Sequence, residues 1–157
     1  MRRLFLGVII LLALLGIIDA GYLAQAAITN TELLCGISTL DGCNIVAQSE
    51  YSRLLGIPLA FYGLAFYVGV LVLAAVALFV RHRALMHVLV FVGGLGFLVS
   101  LYFLYLQIFQ INALCIYCLA SFVLSTLIFV LAVRFERNER KQHALSVEES
   151  HEEETEA

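Results

Sequence analysis

Charge is scarce in this 157-residue chain, with Asp, Glu, Lys and Arg making up 13% of its residues. Soluble domains carry about 25% charged residues. Tryptophan is absent and there is a single proline, Pro58, so ring constraints interrupt few helical runs. Histidine is confined to His82, His87, His143 and His151, and residue 119 is Leu, so the haem-attachment pattern CxxCH is missing. The spacing C-x7-C…C-x2-C fits no common zinc module, and no metal is expected. The net charge of −3 is carried by a Glu-rich C-terminal stretch and points to no nucleic-acid partner. In place of charge the chain has apolar residues, at 62%.

Those residues gather in four nearly uncharged stretches, at about 4–27, 58–80, 85–109 and 113–133. Each reaches the roughly 20 residues that cross a bilayer as a helix. No stretch alternates with period two, so spanning strands are excluded. The expected fold is an all-α integral membrane protein, a four-helix bundle, with a loop over 28–57 between the first two spans. Residues 136–157, polar and rich in Glu, read as a disordered tail.

Lys and Arg predict the orientation. Arg2, Arg3, Arg81, Arg83, Arg134, Arg137, Arg140 and Lys141 all fall on one side of such a bundle, and Arg53 on the other. The positive-inside rule makes the first side, with both termini, cytoplasmic. Arg2-Arg3, an apolar run and Ala24-Gln25-Ala26 also fit a cleavable signal peptide, but the length of the run favours a retained span.

All four cysteines then lie on the outer, oxidising side. Cys35 and Cys43 bracket a Gly- and Asp-containing piece of the loop, while Cys115 and Cys118 form Cys-Ile-Tyr-Cys at the start of the fourth span. Two structural bridges would account for them, yet a CxxC bridge closes a very short loop and constrains little of the unfolded chain. CxxC at a helix start is a redox arrangement, because unpaired N–H groups and the helix dipole stabilise the attacking thiolate. Two dithiol pairs on one face suit a relay by thiol–disulfide exchange. No flavin, haem or iron–sulfur motif is present, which leaves a lipid-soluble quinone as the economical terminal acceptor.

With the first-loop C-x7-C, Ser49 six residues later, Gly56-Ile-Pro-Leu-Ala-Phe-Tyr-Gly63 and Cys-Ile-Tyr-Cys, residues 4–133 resemble the vitamin K epoxide reductase family, specifically its bacterial disulfide-generating members. DsbB-type quinone reductases carry their pairs in the reverse order. The resemblance implies that Cys35 exchanges with a separate DsbA-like thioredoxin-fold protein, that Cys43 attacks Cys115, and that Cys118 reduces ubiquinone or menaquinone. It also implies a short half-helix, Asn44 to about Leu55, capping the quinone pocket with Ser49 near the head group. Phe122 stands at a quinone-contacting position where vertebrate members have Tyr, and the Asn that contacts vitamin K in those members has no counterpart in 56–63. Both differences count against epoxide reduction and not against quinone reduction. The implied setting is a bacterial plasma membrane.

Asp19, inside the first span, has two readings. It is a polar residue facing a water-accessible pocket, or a carboxyl near the quinone that assists proton delivery. Gly93, Gly94, Gly96 and Ser100 read as small packing residues. Tyr102, Tyr105 and Tyr117 read as an interfacial belt, and Gln107, Gln110 and Asn112 as candidates to orient a quinone carbonyl. The rival functions are a quinone or quinone-epoxide reductase feeding another pathway, and a non-enzymatic bundle stapled by disulfides.

Overall fold

The computed structural model describes residues 2–35, 42–80 and 83–156. Residues 36–41, between Cys35 and Cys43, and Arg81 and His82 lie outside them. Four long helices make the bundle: α1 (Arg2–Thr29), α3 (Leu59–Phe79), α4 (Arg83–Leu106) and α5 (Ile116–Glu156). A short helix, α2 (Cys43–Gln48), sits in the loop between α1 and α3. The four long helices contain spans long and apolar enough to cross a membrane, as the sequence predicts. Lipid offers the backbone no hydrogen bonds, so each span satisfies its own.

α1 packs most extensively on α3, α4 on α5, and α1 also on α5. Small residues permit this. A Cβ at Gly16 of α1 would fall 2.3 Å from ring atoms of Tyr67 on α3, and one at Gly96 of α4 would fall 2.3 Å from the ring of Phe66. Gly93 and Gly94 lie against Phe129 of α5. The glycines expected to pack do so, Gly94 and Gly96 against phenylalanine rings and Gly93 against the Phe129 backbone. Leu6, Ile9, Val70, Leu89 and Ile128 fill the core between them. Many other apolar side chains, Phe91, Leu98 and Phe109 among them, point outward, as they must in a bundle whose solvent is lipid.

The two ends of the bundle differ. At the arginine end, the Arg2 guanidinium donates to the carbonyls of Ala77 and Val80, the last turn of α3, and lies 3.8 Å from Glu139. Glu136 is paired with Arg140 one turn on and with His87 of α4. α5 does not stop where an unstructured tail is expected but continues as helix to Glu156. Its extension is rich in Glu, a good helix former, and it grows from a turn already nucleated in the bundle.

At the cysteine end two departures from the expected loop appear. The half-helix expected to run to Leu55 ends at Gln48, where Ser49 turns extended and its hydroxyl bonds the Val46 carbonyl. A 3-10 turn follows at Glu50–Ser52. Two-residue strands, β1 (Arg53–Leu54) and β2 (Ile57–Pro58), then pair antiparallel. Leu55 and Gly56, both at positive φ, form the turn between them. α4 ends in a wide π turn, Gln107–Ile111, closed by Asn112 in the left-handed region.

Gly16→Ala is expected to displace the Tyr67 ring and cost about 1–3 kcal/mol through overpacking. A lowered thermal midpoint of the detergent-solubilised protein would show it; an unchanged midpoint would mean the α1–α3 contact yields freely.

Candidate functional site

The cysteine end is assembled by contacts that hold a loop down on the helix tops. Cys35 and Cys43 are joined by a disulfide, and Cys115 and Cys118 are thiols. Three anchors hold the disulfide in place. The Asn44 side chain accepts from the Leu33 N–H at 2.8 Å and donates to the Leu33 carbonyl at 3.4 Å, standing in for a strand partner. Tyr22 of α1 accepts from the Leu34 N–H, and Tyr117, inside the CxxC, donates to the Leu34 carbonyl at 2.9 Å. The two tyrosine rings meet at 5.1 Å.

Gly42 is the third anchor and the tightest. Its N–H bonds the Leu114 carbonyl at 3.2 Å, and a Cβ placed on it would fall 2.8–2.9 Å from Ala113 and the Leu114 backbone. No larger residue fits there. The contact brings Cys43, fully buried, into one cluster with Cys115, 1% exposed, and with Cys35 and Cys118 at the edge of that cluster.

The inner pair is held from its other side. The Gln107 side chain, 3% exposed, accepts from the Cys115 N–H at 3.0 Å, while the Gln107 carbonyl accepts from Ala113 N–H at 3.2 Å. The Cys118 N–H, in the first turn of α5, points at Cys115 Sγ at 3.3 Å. That bond favours a Cys115 thiolate over a thiol, since a charge-assisted acceptor gains more from it. Gln107 thus supports Cys115 where the sequence offers it as a quinone contact. It also lines the cavity described next, so both roles are open to it.

Below the cysteines lies a cavity of about 830 Å³. Leu23, Phe66, Leu95, Val99 and Phe103 make its walls apolar, and Ser49, Gln107, Cys115, Cys118, Ser121 and Tyr67 bring polar atoms to it. Its size and make-up suit an apolar ring system with one or two polar oxygens. Ser49 lines it. Phe122 does not: its ring turns toward Phe97 of α4 at 6.1 Å, extending the Phe97–Phe129 stack between α4 and α5. Asp19 does not line it either, although the next residue, Ala20, does. Its carboxyl faces Ser121 of α5.

Tyr67, Ser121, Tyr22 and Asn44 escaped the sequence reading. Each is a common polar residue whose partner lies far along the chain, and nothing local marks it. The Gly-Ile-Pro…Gly match that opens α3 stops four residues short of Tyr67. Among the described residues no group of three or more His, Cys, Asp or Glu side chains gathers as metal ligands do.

Gln107→Leu would leave the buried Cys115 N–H without an acceptor, at a cost of about 1–3 kcal/mol. A lower thermal midpoint together with faster alkylation of Cys115 is the expected result, and an alkylation rate equal to the wild type's would remove Gln107 from the site.

No curated protein matches the chain in a sequence search. The family model described as "Vitamin K epoxide reductase family" matches residues 7–133, which cover all four spans and all four cysteines. The chain belongs to the vitamin K epoxide reductase family, whose members are membrane oxidoreductases.

Proposed function

We propose that this chain oxidises a soluble thioredoxin-fold dithiol protein and passes the electrons to a membrane quinone, so sustaining disulfide bond formation. The observation that carries this reading is the shared burial of Cys43 and Cys115 in one cluster, with Cys115 and Cys118 also lining the apolar cavity. A chain of two pairs, one reached from water and one opening on a lipid-compatible pocket, has the connectivity of a relay.

Each step balances. A thiolate of the reduced partner attacks Cys35 Sγ, breaking the Cys35–Cys43 bond and releasing the Cys43 thiolate. The partner's second thiolate resolves the mixed disulfide and the partner leaves oxidised. Cys43 then attacks Cys115 Sγ of an inner disulfide, freeing Cys118. Cys35 attacks Cys43 in turn, which restores the outer disulfide and leaves two inner thiols. When the Cys115–Cys118 bridge re-forms, two electrons leave through Cys118 into the cavity, where ubiquinone or menaquinone takes them. Ser49, on the loop that roofs the cavity, would contact the head group. Direction follows from potentials: a DsbA-like protein lies near about −120 mV, so a quinone, being more oxidising, can recharge it.

On this reading the cysteine end faces the periplasmic side of a bacterial plasma membrane and the arginine end the cytoplasm. Gly42 is the residue that sets the internal exchange, because it sets the distance between the pairs.

Three results would test this. A Cys43→Ala protein should accumulate a mixed disulfide between Cys35 and a reduced thioredoxin-fold protein, visible on a non-reducing gel; absence of the adduct would remove the partner step. Cys118→Ala should abolish quinol formation, and turnover that survives it would favour a bundle merely stapled by disulfides. Gly42→Ala should slow exchange between the pairs by about a hundredfold, as small displacements of reacting atoms do, which rapid-quench alkylation would measure.

A further inference from the structure

Three polar side chains from three different spans converge beside the inner thiols. The Tyr67 hydroxyl of α3 lies 2.8 Å from Ser121 Oγ of α5 and 2.9 Å from the Ser121 carbonyl. Asp19 of α1 lies close enough to Ser121 to interact with its side chain, and its Oδ2 is buried with no hydrogen-bond partner. Tyr67 and Ser121 line the cavity, and Ser121 stands one helical turn beyond Cys118. The Tyr67 ring is fixed by the bare backbone of Gly16 and by Phe66, edge-on at 5.1 Å, and is 1% exposed.

A carboxyl in the apolar part of a span costs about 2.5–3.5 kcal/mol on insertion scales, and such residues face a functional interior. Interhelical polar contacts can simply hold helices together. Two hydroxyls suffice for that, and the Tyr67–Ser121 pair already joins α3 to α5. Adding a carboxyl with an unpartnered oxygen behind them goes further, since it supplies a group able to hold and release a proton at the inner end of a hydroxyl chain.

We propose that Tyr67 donates a hydrogen bond, and then a proton, to a quinone oxygen in this cavity, with Ser121 and Asp19 behind it as a proton relay. The inference rests on the quinone reading above. Re-forming the Cys115–Cys118 bridge releases two electrons and two protons, and quinol formation takes up two of each. The Tyr67 O–H gives its proton to the quinone oxygen. The Ser121 O–H replaces it by turning toward Tyr67, and the Asp19 carboxyl, in its acid form, restores Ser121. One proton lost from the dithiol returns to the Asp19 carboxylate and closes the cycle, and the other goes to the second quinone oxygen. Two protons and two electrons thus leave the dithiol, and two of each enter the quinol. Tyr67 is the catalytic residue in this scheme; Ser121 and Asp19 act through it.

The test uses the full chain in nanodiscs, with dithiothreitol as reductant and ubiquinone-1 as acceptor, and follows quinol formation by absorbance. Tyr67→Phe, Ser121→Ala and Asp19→Asn should each lower kcat by about a hundredfold, the scale of general acid catalysis. KM should change far less for Asp19→Asn than kcat does. Exchange between the two cysteine pairs, followed by alkylation, should stay at the wild-type rate in all three. Ser121→Thr, which keeps the hydroxyl, should restore most of the activity lost in Ser121→Ala. Wild-type kcat in Asp19→Asn or in Ser121→Ala would overturn the relay, as would a Ser121→Thr protein as slow as Ser121→Ala. Slowed pair-to-pair exchange in all three variants would also overturn it, by reducing the cluster to a packing role. Failure of the wild-type protein to reduce ubiquinone-1 would instead defeat the quinone reading beneath it.

Discussion

The backbone of Gly42 lies against that of Leu114 with no room for a side chain between them. The chemistry open to this molecule depends on that approach, because it joins a water-exposed loop to the top of a membrane helix. The loop has little else to hold it there: α2 is a helix of six residues, and the strands that follow are two residues each. Asn44, Tyr22 and Tyr117 supplement the contact with hydrogen bonds to the backbone of Leu33 and Leu34, so that Cys35 stays partly open while Cys43 is buried. Openness at one sulfur and burial at the other is what a directional exchange requires.

A second constraint comes from the apolar surroundings. Inside a bundle bathed in lipid, a polar atom needs an internal partner. Gln107 is occupied by the Cys115 N–H, Ser125 is shared with Ser100 and the Phe122 carbonyl, and Tyr67 is bound to Ser121. These pairings join α3 and α4 to α5. The arginine end uses different means: Arg2 bonds the unpaired carbonyls at the end of α3, where positive charge also complements the helix dipole.

Much of the fold was legible in the residues. The four spans follow from run length and the scarcity of charge, and the CxxC marks the start of the last span by its spacing alone. The glycines of α4 read as packing residues and are. The loop was less legible. Ile45, Val46, Leu54 and Leu55 are compatible with one amphipathic helix, yet Ser49 competes for the Val46 carbonyl and the left-handed pair at Leu55 and Gly56 turns the chain back on itself. The extension of α5 was hidden for a different reason: its charged composition suits solvent, and a disordered tail and a solvated helix share that composition. Phe122 was placed by analogy of position, and aromatic packing with Phe97 decided where its ring went.

By itself the sequence determined the membrane class, the number of spans, the grouping of the cysteines into a loop pair and a helix pair, and their place together at one end. These are properties of local runs and spacings, set by the thickness of a bilayer and the periodicity of a helix. Only the tertiary structure decided what surrounds the sulfurs. Tyr67 meets Ser121 across 54 residues, and Tyr117 meets Leu34 across 83. No local pattern announces such pairs, because each exists only once α1, α3 and α5 have packed, and the depth at which they pack is set by the bare backbones of Gly16 and Gly42.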